Sequence, residues 1–187
     1  MRKFLLTMFT CAVFLLLQSS LQAQKIYVKA VGTIGDGSTL FKGGSLAKGH
    51  ENEIEATSYS EGDSSCGFIA GGGGTCKTAT GPWVFTMNIN PSIMSFKSYI
   101  YQGKKIGRVT VTYTTAGATP FTYYTVVMNN VYIKAVAESG TAGGGALQFF
   151  IELDPSTIEW TYIQQDQDGS IGKKTSFGWD RTKNKPL

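Results

Sequence analysis

Apolar and polar residues alternate along most of this chain, and a period of two predicts strands. In Lys25–Val31, Ile26, Val28 and Ala30 alternate with Tyr27, Lys29 and Val31. Glu53–Tyr59 alternates again, with Ile54 and Ala56 on one face. Trp83, Phe85 and Met87 share a face of Trp83–Ile89, and Val109, Val111 and Tyr113 share one of Arg108–Thr114. Phe121–Val136 is a longer run whose phase breaks at Asn129-Asn130, which predicts a bulge or bend. Leu147–Leu153 reads as a strand, Asp154-Pro155-Ser156 as a tight turn, and Thr157–Ile163 as the returning strand, with Ile158, Trp160 and Tyr162 together. Ser176–Asp180 is the last strand.

One segment has helical spacing. Ile93, Phe96 and Ile100 recur on one face, with Met94 and Tyr101 beside them. Asn90 suits the cap, Pro91 the first helical position and Gly103 the stop. No helix separates the other strands, so a parallel α/β sheet is excluded. The pattern predicts a mainly β fold: an antiparallel β-barrel or closed sandwich of about eight strands with one flanking α-helix.

The joining segments are polar and glycine-rich. Gly32–Gly49 and Glu138–Gly145 read as loop and turn, as do Ala116–Pro120 and the polar Gln164–Lys174. Glu61–Gly81 is almost pure loop, rich in Ser, Gly and Thr around Gly71, Gly72, Gly73 and Gly74. No core can be built from it, so it is expected to project from the body.

The first 23 residues differ from all the rest. Arg2 and Lys3 precede an apolar run from Phe4 to Leu17, then a short polar exit to Ala23. This is the layout of a secretory signal peptide, with cleavage expected between Ala23 and Gln24. The run is about 14 residues, short of the ~20 that span a bilayer. Cys11 lies inside the run, so a lipoprotein is not expected. The mature chain is then one domain, residues 24–187, exported to the periplasm or beyond and free of the membrane. Removal of Arg2 and Lys3 from the 17 basic residues leaves 15 against 13 acidic, net +2. Cys66 and Cys76 remain, flanking the glycine tetrad. An even count in an oxidising compartment predicts a disulfide between them. Closing that small ring contributes on the order of 2–3 kcal/mol in the chain-entropy account.

Composition agrees with the pattern. None of the 23 Gly lies in the first 23 positions, so Gly is roughly 14% of the remainder against a usual ~7%. With 11 Phe and 9 Tyr, the balance favours strands and tight turns. The charge is too weak and scattered for a nucleic-acid partner. One His excludes a multi-His metal centre within one chain. His50 lies near Glu51, Glu53 and Glu55, but no G-x-S-x-G accompanies it, so a structural or surface role is expected over catalysis. Asp166-Gln167-Asp168-Gly169 lacks the closing Glu of a calcium loop, since Thr175 falls at position twelve, and reads as a polar turn. Gly32-x-x-Gly35-x-Gly37 opens no helix and has no Lys-Thr pair, so it reads as a flexible turn rather than a phosphate cradle. The aromatics read as core before they read as a sugar or lipid pocket. No enzyme activity, cofactor or metal is expected.

The order of these elements resembles the haemolysin-coregulated protein (Hcp) family, the tube protein of type VI secretion. His50-x-x-Glu53-Ile54-Glu55 resembles the family's opening of the second strand. The excursion Glu61–Gly81 stands at the place of its long loop, and Trp83–Gln102 resembles its strand-then-helix unit. Phe177-Gly178-Trp179-Asp180-x-x-x-Asn184 resembles its close. The likeness covers about residues 25–185. It implies a non-enzymatic barrel with a side helix, assembled as homohexameric rings that stack into a tube carrying secreted effectors, in a Gram-negative bacterium. The long loop is implied to reach toward the neighbouring ring. Two features depart from the family: the signal peptide, and Cys66 with Cys76 in the loop. They leave a second reading, a secreted β-barrel binding or adhesion module that kept the fold without the tube role.

Overall fold

The structure, a computed structural model, describes residues 24–33, 41–64, 79–117 and 119–187. Among the described residues ten strands and one helix follow in chain order: β1 Lys25–Gly32, β2 Ile54–Ser60, β3 Asp63–Ser64, β4 Ala79–Thr80, β5 Trp83–Asn88, α1 Ser92–Gln102, β6 Ile106–Thr114, β7 Thr122–Ser139, β8 Gln148–Gln165, β9 Ile171–Asp180 and β10 Lys185–Pro186. The main sheet runs β10-β9-β8-β5-β2-β1-β6-β7, and β7 pairs back onto β8. Six strands therefore close a barrel, with β9 and β10 outside it. Every pairing is antiparallel. The expected mainly β barrel with one flanking helix is the fold observed.

The interior is built by the predicted alternation. Val28 and Ala30 of β1, Phe85 and Met87 of β5, Val109 and Val111 of β6, Val126 and Met128 of β7, and Ile151, Leu153 and Ile158 of β8 are all buried. In a strand, alternate side chains reach one face, so each short strand gives the core two or three residues. The helix adds Ile93, Phe96 and Tyr99. Phe96 meets Phe85 of the barrel (centroids 5.8 Å apart), and Phe41 packs on both Phe96 (4.8 Å) and Tyr99 (4.7 Å). Phe41 lies in the stretch expected to be loop, yet it is fully buried and its N–H donates to Ala30 O at 2.9 Å.

The helix ends follow their sequence signals. Pro91 already has helical dihedrals (φ −59°, ψ −26°), and Asn90 Oδ1 accepts the Ser92 N–H at 3.0 Å. At the other end Gly103 turns left-handed (φ 62°), and Lys104 N–H donates back to Tyr99 O at 3.0 Å. Met94 and Tyr101, expected beside the buried stripe, are 68% and 89% exposed, so the stripe is narrower than its spacing implied.

Three expectations need correction. Asp154-Pro155-Ser156 is no turn: β8 runs unbroken through it, with Val131 opposite Pro155 and Tyr132 opposite Asp154. Pro155 sits where β8 exchanges β5, whose pairing ends at Leu153, for β9, whose pairing begins at Thr157. Its carbonyl accepts from the Arg181 guanidinium at 2.6 Å. A position where a strand changes partners is one where proline, which has no N–H to give, is tolerated. Second, the final strand begins at Ile171, inside the predicted loop, and pairs only with β8 and β10. The barrel closes without it, and Trp179 is half-buried. Third, the expected bend at Asn129-Asn130 appears as a left-handed Asn130 (φ 48°), while the register shift against β8 falls later, between Ile133 and Ala135.

Candidate assembly surface

The excursion leaves and re-enters the barrel through a short stem. Asp63 pairs with Thr80 and Ser64 with Ala79, and Gly81 N–H donates to Gly62 O at 2.7 Å. Gly81 has a left-handed φ of 94°, and a Cβ there would meet the Trp83 ring at 2.7 Å. Only glycine turns the chain at this point without strain.

Two charged side chains fix the stem to the barrel. On one side Glu61 accepts from the Tyr59 hydroxyl (2.9 Å), the Tyr124 hydroxyl (3.2 Å) and Trp160 Nε1–H (3.1 and 3.2 Å to its two oxygens). These donors come from β2, β7 and β8. Burial, and then the Glu61 charge, push the Tyr59 and Tyr124 hydroxyls well above the ordinary tyrosine range. The same two causes raise Tyr113 to about 12. On the other side Arg181 donates to Thr80 Oγ1 (2.7 Å), to Asp154 Oδ1 and to Pro155 O (2.6 Å), and its guanidinium lies 4.8 Å from the Trp83 ring centroid. Arg181 therefore joins the returning arm of the stem to the point where β8 changes partners. The Glu61 carboxylate, holding donors from three strands, is a mechanical anchor.

The motif residues fall into two further groups. His50 Nδ1 lies 2.8 Å from Glu53 Oε2, and its ring stacks on Tyr27 with centroids 4.0 Å apart and planes 3° apart. Ile54, next in the chain, is fully buried. Gly43 packs against this turn so closely that a Cβ would stand 2.1 Å from Glu53 O. His50, Glu53 and Ile54 thus hold the loop before β2 against β1. Gly178, Trp179 and Asn184 meet at the end of the sheet. Leu187 N–H donates to Gly178 O at 3.1 Å with the Leu187 side chain over Gly178, Pro186 pairs with Trp179, and Asn184 makes the left-handed turn (φ 54°) between β9 and β10. Phe177 stacks on Trp160 (5.8 Å, 14°) and lies beside Trp179 (6.3 Å, 28°). Gln24 is exposed and its side-chain amide donates to the Tyr123 hydroxyl. Cys66, Cys76, Gly71, Gly72, Gly73, Gly74 and Ala23 lie outside the described residues. Among the described residues no three His, Cys, Asp or Glu side chains gather as metal ligands, and no helix is long and apolar enough to cross a membrane.

A family model described as "Type VI secretion system effector, Hcp" matches residues 27–162, which is most of the chain. The chain belongs to the Hcp family. The match spans β1 to most of β8, including the His50–Ile54 turn and the excursion, and stops short of the Gly178–Asn184 close. Among solved structures, Hcp1 from Salmonella typhimurium is 25% identical, with a TM-score of 0.71 over 88% of this chain and 99% of that one. A type six secretion system protein is 23% identical (TM-score 0.77, 88% and 100% covered). A type VI secretion system effector from Yersinia pestis is 20% identical (TM-score 0.64, 83% and 98% covered). At that identity the last two speak for the fold alone. No curated protein sequence matches the chain.

Sequence reasoning missed Glu61 and Arg181, the two residues of this Hcp chain that anchor the excursion. Glu61 reads as the first residue of a polar loop, and its partners Tyr124 and Trp160 stand 63 and 99 positions away. Arg181 lies 101 positions from Thr80. No local pattern links such pairs; only the tertiary arrangement of the strands does.

Proposed function

We propose that the mature chain, residues 24–187, is a non-enzymatic ring subunit that assembles as a homohexamer. Its rings stack into a tube of the type VI secretion kind that carries effector proteins. The observation that carries this reading is a closed Hcp barrel holding a two-strand stem between Glu61 and Arg181. The stem fixes the two points at which the excursion joins the barrel, which suits a contact made through that segment. A rigid stem lowers the ordering cost of docking a glycine-rich segment. A Cys66–Cys76 bridge would lower it further. Residues 1–23 act as a cleaved signal peptide in this reading, so the subunit is exported to the periplasm or secreted.

That signal-like segment also favours a second reading, an exported barrel that kept the fold and serves as a binding or adhesion module. Sedimentation velocity of the mature chain at micromolar concentration, with and without reductant, separates the two. The ring reading expects a hexamer and larger species in the oxidised form. Reductant should remove the larger species and leave the hexamer and the far-UV circular dichroism unchanged. A monomer in both conditions favours the module.

A further inference from the structure

A groove of about 770 Å³ lies on the outer wall of the barrel, across β1, β6 and β7. Lys29, Arg108, Thr110 and Asn129 line it beside Val31 and the glycine backbone. Cross-strand pairing places them on one face: Lys29 opposes Thr110, Val31 opposes Arg108, and Arg108 opposes Asn129. Arg108 is exposed and its Nε–H donates to Asn129 Oδ1 at 3.0 Å. It has no carboxylate partner among the described residues. Lys29 is half-exposed and reaches Glu53 at only 3.9 Å. Asn129 is held from behind, its Nδ2–H donating to Thr157 Oγ1 at 3.2 Å. The groove therefore offers two cations and a carboxamide on a rigid wall, a chemistry suited to carboxylates.

The same chain carries a matching shape elsewhere. The turn between β8 and β9 is exposed and led by Asp166 and Asp168, neither with an ion-pair partner among the described residues. It is stiff. Asp166 N–H donates to Ser170 O (3.0 Å), Gly169 N–H to Asp166 O (2.9 Å), and Ser170 gives both its N–H (3.0 Å) and its hydroxyl (2.7 Å) to Asp168 Oδ1. Those two donors hold the Asp168 carboxyl below the usual carboxylate range. Lys173 and Lys174 follow behind on β9. In the closed order β8-β5-β2-β1-β6-β7, β1 is the third strand from β8 in either direction. Lys29 on β1 thus stands across the barrel from the strand that carries the acidic turn, while Arg108 and Asn129 continue the cationic wall over β6 and β7 toward β8. A ring of identical subunits needs two unlike, complementary surfaces facing away from each other.

We propose that the Lys29–Arg108 groove of one copy receives the Asp166–Gly169 turn of the next copy, forming the head-to-tail contact that closes the ring. The inference rests on the ring reading and names the surfaces that reading leaves open. Like charges placed across such a contact cost several kcal/mol, so reversal should weaken self-association by about a hundredfold or more.

The test uses two variants of the mature chain, Arg108→Glu and the pair Asp166→Lys with Asp168→Lys. All three positions are exposed, so circular dichroism and melting temperature should match the parent. Native mass should show that each variant alone fails to form rings. Mixed, they should form rings of alternating composition, because each then offers the other a complementary pair on both sides. A monomeric parent would overturn the ring reading itself. A ring-forming parent whose variants also form rings would overturn this inference alone. Loss of rings in only one variant, or a mixture that stays apart, would mean that the groove and the turn do not serve each other.

Discussion

Glu61 shows how one side chain ties distant strands together. Its carboxylate takes hydrogen bonds from Tyr59, Tyr124 and Trp160, on three strands. The same charge, added to burial, keeps Tyr59, Tyr113 and Tyr124 protonated beyond their ordinary range. Raised folded-state values bind protons more tightly than the unfolded chain does. The stability they contribute is complete below the unfolded tyrosine value near 10 and falls as pH rises from there through the folded value, about 12 for Tyr113. Urea midpoints should therefore drop between about pH 10 and pH 12. Glu61→Gln should make that drop shallower, because burial remains and the charge is gone. It should also shift Trp160 fluorescence at neutral pH. A pH profile identical to the parent's would show that Glu61 does not act on these hydroxyls.

The strands and the helix were legible wherever alternation or helical spacing was driven by burial on one face. Trp83–Asn88, Ile106–Thr114 and the helix from Asn90 to Gly103 are of that kind. Reading failed where a strand changes neighbours. At Pro155, β8 leaves β5 for β9, and a proline in a strand gap looks locally the same as a proline in a turn. It failed again at β9, whose IGKKTS start has no apolar face because it lies outside the barrel. The motif residues His50, Glu53 and Ile54 were legible as a group, and the structure gathers them into one turn. The stack of His50 on Tyr27 was not, since Tyr27 is far from them in the chain. The two kinds of strand predict different costs. Phe96 is fully buried between Phe41 and Phe85, so Phe96→Ala should cost about 3–5 kcal/mol. Trp179 is half-buried on a strand outside the barrel, so Trp179→Ala should cost about 1–2 kcal/mol. Equal losses in chemical denaturation would mean that β9 belongs to the core after all.

At the scale of the molecule, the chain is a closed barrel with one stiff stem and two unlike charged surfaces, and residues 1–23 precede it. Because that segment has the signal layout, the exported protein should begin at Gln24 or within a residue or two. Intact mass of protein from the culture medium or periplasm measures this, and retention of residues 1–23 would contradict it. Glu61 and Arg181 fix where the excursion starts, and the cationic groove and the acidic turn are separate surfaces carried by different strands. We propose that each of these serves a subunit whose partners are copies of itself, and that proposal is the central claim. Negative-stain electron microscopy of the exported, oxidised protein tests it most directly. The account predicts closed rings with six-fold symmetry in projection, some stacked end to end. A field of single barrels at micromolar concentration would contradict it.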